Sequence, residues 1–142
     1  MQPPVGFEPF TRESPLLAPW KPLFVRHEPD RVILGLHIHE PHLNSRGTVH
    51  GGLLAALADQ AMGMSCAARL RAEGVPVSNL WTSGMTIDYL DVAWPGQWLA
   101  FDTHFSRTGR TLCHVEMDIT ADGQTVARAR GAFRVSLDKA AA

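Results

Sequence analysis

Residues 51–71 read GGLLAALADQAMGMSCAARLR, and this stretch decides how the rest of the chain is read. Leu, Ala and Met dominate it, which favours a helix. Apolar residues occupy 53, 57, 61 and 64, and also 54, 58 and 62, so the apolar surface wraps most of the way round. That is the pattern of a buried helix. About 20 residues span ~30 Å, long enough to invite a membrane reading. Asp59 and Gln60 at its centre and three glycines oppose it, since an Asp at a helix centre costs ~3 kcal/mol on insertion. The helix is therefore expected to lie within protein. It should end near Arg69 and Arg71, before Gly74-Val75-Pro76.

The sequence after the helix alternates in period two, which marks strands with one covered face. Met85, Ile87 and Tyr89 alternate with Thr86 and Asp88. Trp94-Pro95-Gly96 is a turn. Leu99, Phe101 and Phe105 are placed on one face of the next strand, with Asp102 and His104 on the other. Arg107 to Arg110 form another turn. Cys113, Val115, Met117 and Ile119 alternate with His114, Glu116 and Asp118. Asp122-Gly123 is a strong hairpin signal. A last strand runs from Val126 to Leu137. These strands read as a meander, with the helix covering their apolar face. Before the helix, Arg31–His39 is a strand with a bend expected at Gly35, and 40–49 is a loop.

Composition bounds the function. The 142 residues make one domain of ordinary size. Thirteen Lys and Arg against fourteen Asp and Glu give a net charge of −1. A nucleic-acid binder or a polybasic membrane anchor would be strongly basic, so neither partner is expected. Cys66 and Cys113 are too few for a disulfide framework or a thiolate zinc site. They leave two readings, one bridge between them or reduced buried thiols in a cytoplasmic protein, and the second is the simpler. No secretory signal is visible at the start. Seven of the ten prolines fall in the first 30 residues, so residues 1–30 are read as a proline-rich extension without a central strand. Its aromatics, Phe7, Phe10, Trp20 and Phe24, should pack it onto the body at 31–142.

The helix carries one carboxylate, Asp59, with no cation within a turn. Buried acids are paired or employed. Two readings stay open from composition: a face that meets solvent or a distant Arg, and a functional acid. Asn44 and His50-Gly51-Gly52 lead into the helix. Free N–H groups at a helix start attract negative charge, and glycine lets a ligand approach the backbone. Such a site suits the oxyanion that forms when a carbonyl is attacked.

The run Asn44-Ser45-Arg46-Gly47-Thr48-Val49-His50-Gly51-Gly52, continued by Leu53 to Asp59, resembles the hot-dog-fold thioesterases, specifically the phenylacetate-pathway (PaaI-type) acyl-CoA thioesterases. Thr86 to Leu90, Pro95-Gly96, Asp122-Gly123 and Ala127 to Ala129 extend the resemblance over about residues 31–136. It implies an α+β hot-dog fold, a curved antiparallel β-sheet wrapped around one long central α-helix. Asp59 would be the catalytic carboxylate, as general base or nucleophile. Gly51 would give its N–H to the thioester carbonyl, and Asn44 would polarise that carbonyl or position water. Thr82, or Ser83 if the register slips by one, would hold the water beside Asp59. His50 would shape the loop, and Gly52 lies against the substrate. The substrate would be a CoA or carrier-protein thioester, with no metal or separate cofactor. The site would lie between subunits of a homodimer or homotetramer.

Arg107, Arg110 and Arg46 are candidates for the CoA phosphates. Leu57, Met62 and Trp81 are candidate acyl liners, though core packing explains each as well. His37, His39 and His42 cluster without a ligand motif and read as surface histidines on an edge strand. Cys66 has no activating partner and reads as a small buried side chain. The rival readings are a module that binds acyl-CoA without cleaving it, a hot-dog hydratase, and a structural oligomer held through Asp59.

Overall fold

The computed structural model describes residues 1–137; the last five residues of the expected domain, 138–142, lie outside that range. Helix α1 spans Gly51–Ala72. The strands are β1 (Glu8–Pro9), β2 (Phe24–Glu28), β3 (Arg31–His37), β4 (Val77–Tyr89), β5 (Trp98–Thr108), β6 (Leu112–Ala121) and β7 (Gln124–Leu137). They form one antiparallel sheet in the order β1-β2-β3-β5-β6-β7-β4, curved around α1. This is the α+β hot-dog architecture.

The helix buries Leu53, Leu57, Met62 and Cys66 against Leu36, Phe101, Met117 and Phe133 of the sheet. Leu57 and Met62 have no exposure at all, and each such burial contributes about 2 kcal/mol. The opposite flank of the helix is only half covered, along the row Asp59, Gly63, Ala67. Gly74, at φ +78°, ends the helix in the left-handed region open to glycine. At the β6–β7 hairpin, Asp122 and Gly123 both take positive φ, as the tight turn requires. Gly35 stays inside β3, and its missing side chain makes room for the Trp98 ring; a Cβ there would overlap it.

Three expectations change in the folded chain. The meander holds only for β5-β6-β7. β4 skips to the far edge and pairs with β7 alone, because a helix of this length carries the chain across the sheet before it returns. Phe105 faces outward, not inward. Thr103 is buried in regular alternation with Leu99 and Phe101, but a bulge between Asp102 and Phe105 inserts one residue, so Phe105 lies opposite exposed Glu116. Finally, β2 falls within residues 1–30 and sits inside the sheet between β1 and β3. Its run Phe24–Glu28 is free of proline, and the prolines crowd the segments around it; Pro9 lies on the edge strand, where a missing N–H is tolerated. Phe10, Leu17 and Leu23 of the same segment are buried in the common core.

Candidate active site

The approach to α1 is built by short-range hydrogen bonds. Asn44 Oδ1 accepts the N–H groups of Arg46 (2.9 Å) and Thr48 (3.2 Å), and its amide donates to Thr48 Oγ1 at 2.9 Å. Gly47 completes the turn at φ +80°. His50 is the N-cap, and its Nδ1 accepts the Gly52 N–H at 2.8 Å. Gly52 therefore has no N–H left for a ligand. Gly51 differs: among the described residues no acceptor takes its N–H. Tyr89, at the end of β4, donates its O–H to the Gly51 carbonyl at 2.7 Å. Its ring lies so close that a Cβ on Gly51 would stand 3.2 Å from Cζ.

Asp59 sits eight residues further along, about 12 Å down the helix axis. Its partner is a hydroxyl, not an arginine: Thr82 Oγ1 donates to Asp59 Oδ1 at 2.6 Å. Among the described residues it makes no ion pair. The carboxylate opens into a cleft of about 860 Å³ between α1, β4 and the Glu8–Arg12 segment. Ser83 does not share the contact. It is the extra residue of a bulge between Thr82 and Gly84, where two steps on β4 match one on β7.

That bulge has a second effect. Thr82 and Tyr89 are seven residues apart and would face opposite sides of a regular strand. The added residue reverses the phase, so both reach α1, one at Asp59 and the other at Gly51. Alternation alone would not reveal this.

One chain does not gather all the expected residues. Asn44 and Gly51 are absent from the lining of the cleft that holds Asp59. Arg107 and Arg110 lie at the other end of the helix, where Thr108 bonds to Glu73 beyond the last turn. Arg46 is exposed on the Asn44 turn. The cleft instead carries Arg12 and Arg71, which sequence reasoning missed. Arg71 was findable: Asp59, Gly63, Ala67 and Arg71 form one i+4 row on the helix. Leu57 and Met62 are core residues, while Met64 and Phe133 face the cleft. Trp81 is exposed on β4.

The remaining constellations fold without a shared site. Among the described residues no three His, Cys, Asp or Glu side chains gather as metal ligands. β3 is an interior strand and His42 is buried, so the histidines are not on a sheet edge. Cys66 and Cys113 are free and buried. Their contact and burial push the Cys66 thiol well above the ordinary thiol range, which leaves it inert. Among the described residues no helix is long and apolar enough to cross a membrane.

The thioesterase superfamily model matches residues 46–128, which include the His50-Gly51-Gly52 cap, Asp59 and Thr82. The chain belongs to the thioesterase superfamily. Membership makes it a thioester hydrolase. It is 35% identical over 136 residues to a Pseudomonas aeruginosa protein provisionally named an esterase, covering 95% of this chain and 98% of that one. It is 35% identical over 106 residues to human acyl-coenzyme A thioesterase 13, covering 72% of this chain and 71% of the relative. Two solved structures share the fold. One is a hypothetical thioesterase protein of Streptococcus pneumoniae with coenzyme A (TM-score 0.72, 24% identity, 82% and 90% covered). The other is a variant of the phenylacetic acid degradation protein PaaI of Thermus thermophilus (TM-score 0.72, 22% identity, 85% and 98% covered). The PaaI-type likeness read from the Asn44–Asp59 run is thus matched by the fold of this thioesterase.

Proposed function

We propose that this thioesterase hydrolyses acyl-CoA esters at a site completed by two copies of the chain, with Asp59 as the reacting carboxylate. The observation that carries the reading is the Thr82–Asp59 hydrogen bond of 2.6 Å at a carboxylate facing an open cleft. The Thr82 O–H holds Oδ1 and leaves Oδ2 to a water molecule or to the thioester carbon. As a general base, Asp59 takes the proton of water as its oxygen attacks the carbonyl. As a nucleophile, it forms an anhydride that water then opens. In both routes the C–S bond breaks and the thiolate of CoA leaves. The Gly51 N–H, at the positive end of α1, stabilises the oxyanion. Asn44 has a second amide hydrogen to offer the same carbonyl, since Thr48 uses only one.

A reacting carbon must lie within about 3 Å of both the attacking group and the oxyanion donor. The ~12 Å between Gly51 and Asp59 on one helix forbids that within one chain. The edge strand β4 supplies the remedy. Its 13 residues leave one row of backbone groups unpaired, a template for a second strand. Antiparallel pairing of β4 with its own copy about a dyad near Met85 sets Tyr89 of one chain diagonally beside Thr82 of the other. Tyr89 brings Gly51 and Thr82 brings Asp59, so each copy completes the other's site. Named relatives act on acyl-CoA or carry coenzyme A, which supports CoA as the thiol. The chemistry calls on side chains and backbone alone.

The test is release of CoA thiol from a panel of aryl- and alkyl-acyl-CoAs. Wild type is expected to turn over at least one ester, and Asp59→Asn to lose the activity while keeping its fold. Mixing inactive Asp59→Asn and Asn44→Ala chains tests the shared site: refolded together, they should regain about a quarter of wild-type activity, because half the dimers are mixed and each has one intact site. A 15.6 kDa monomer in sedimentation with full activity would overturn the shared site. A folded wild type inert on every ester would overturn the hydrolase reading in favour of a binding module.

A further inference from the structure

His42 is the one histidine of the described chain that is fully buried, at 1% exposure, and the mechanism above does not use it. It lies in the short turn Glu40–His42, two residues before Asn44. Its ring is held on both sides. The His39 N–H donates to Nδ1 at 3.0 Å, and Nε2 lies 2.9 Å from the carbonyl oxygen of Trp20. An amide donor on one nitrogen and a carbonyl on the other admit only one state: neutral, with the proton on Nε2. The main chain of His42 reaches the other way. Its carbonyl accepts the His50 N–H at 2.9 Å, and His50 in turn caps Gly52 and leaves the Gly51 N–H free. A continuous path of hydrogen bonds thus runs from the N-terminal segment, through His42, to the start of α1.

We propose that His42 is a positioning residue: as a neutral imidazole it ties the N-terminal segment at Trp20 to the chain that presents the Gly51 N–H, and its protonation releases that tie. A proton on Nδ1 would oppose the His39 N–H at 3.0 Å, two donors face to face in a dry site. The titratable groups around the ring are few. His39 stands edge-on with ring centroids 4.3 Å apart, and Glu40 shares the turn. Lys21 follows Trp20 and is paired with Glu13 at 3.4 Å, and His50 is held by the His42 carbonyl. Burial, and then the neighbouring His39, lower the His42 pKa below the ordinary 6.5, against the pull of the Trp20 carbonyl. The neutral ring's contribution is therefore complete above about pH 6.5. It is lost as the pH falls from there through the lower value of the folded ring, because the unfolded chain takes the proton first.

The activity arm rests on the thioesterase reading; the structural arm does not. Wild type, His42→Gln and His42→Phe are compared by amide hydrogen exchange of residues 50–54, with residues 61–70 as control. Exchange is corrected for intrinsic rate between about pH 7.5 and about pH 5.5, a span that brackets the ordinary histidine value. Wild type should lose about tenfold of its protection at 50–54 on acidification, with the control unchanged. His42→Gln, which offers an acceptor and a donor without titrating, should not. In acyl-CoA turnover, His42→Phe should lower kcat about tenfold with KM nearly constant, and His42→Gln should recover most of the loss at neutral pH. Equal acid sensitivity in wild type and His42→Gln would overturn the proposal, as would wild-type kcat in a folded His42→Phe. Should His42→Phe fail to fold, the exchange comparison with His42→Gln decides alone. Lack of turnover in wild type would count against the thioesterase reading, and the exchange data would still decide the role of His42.

Discussion

The two ends of α1 are built from the same backbone and treated in opposite ways. At the C-terminal end the last carbonyls and the nearby charges are paired. The Glu73 N–H caps the last carbonyls, and its carboxylate accepts from Arg69 at 3.1 Å and from Thr108 at 2.8 Å. Arg69 also reaches Asp30 at 3.3 Å, and cations there suit the negative end of the helix dipole. At the N-terminal end no acidic residue occupies the first turn, although acids are favoured there. His50 satisfies Gly52, Tyr89 satisfies the Gly51 carbonyl, and among the described residues no acceptor takes the Gly51 N–H. A helix end that only had to be stable would look like the first. The second leaves one donor unused, held in place by its neighbours, as the proposed oxyanion site would require.

Substitutions at and between the two ends should separate function from stability. The largest effect is expected between them: Asp59→Asn should lower kcat about 10³-fold, with circular dichroism and assembly unchanged. Loss of assembly in that variant would make the acid structural. Next is Gly51→Ala, which presses a methyl group against the Tyr89 ring and shifts the N–H; kcat should fall about 50-fold. Wild-type kcat in that variant would break the contrast, because the N-terminal donor would then be idle. Thr82→Val keeps the shape and removes the donor to Asp59, so kcat should fall about tenfold with little change in KM. The smallest effect belongs to the satisfied end. Thr108→Val should cost under about 1 kcal/mol in chemical denaturation and leave turnover unchanged, as exposed contacts of this kind usually do.

Elements that depend on neighbours in the chain were legible in the sequence. The helix begins at Gly51 as read and ends at Ala72, one residue beyond the expected Arg71, because caps and left-handed glycines act within a few residues. The Asp122-Gly123 hairpin belongs to the same class; the His50 cap is equally local, but it was not read from the sequence. Asp59 stood out as a lone acid on an apolar helix, and Thr82 was reached through family resemblance. Tyr89 and His42 were missed for a different reason. Tyr89 looked like one more alternating residue, and the phase change at Ser83 is invisible in strict period two. His42 looked like a surface histidine, since its burial comes from a segment some 20 residues upstream.

The sequence by itself determined the long buried helix and the hairpin turn, because each is written in contacts between residues close in the chain. Only the tertiary structure decided that β4 lies at the edge, that Phe105 faces outward, that Thr82 and Tyr89 share the helix side of one strand, and that His42 is sealed beneath Trp20. These depend on strand order and register, which are settled by the competition of distant segments for the same core, and a single inserted residue exchanges the two faces of a strand.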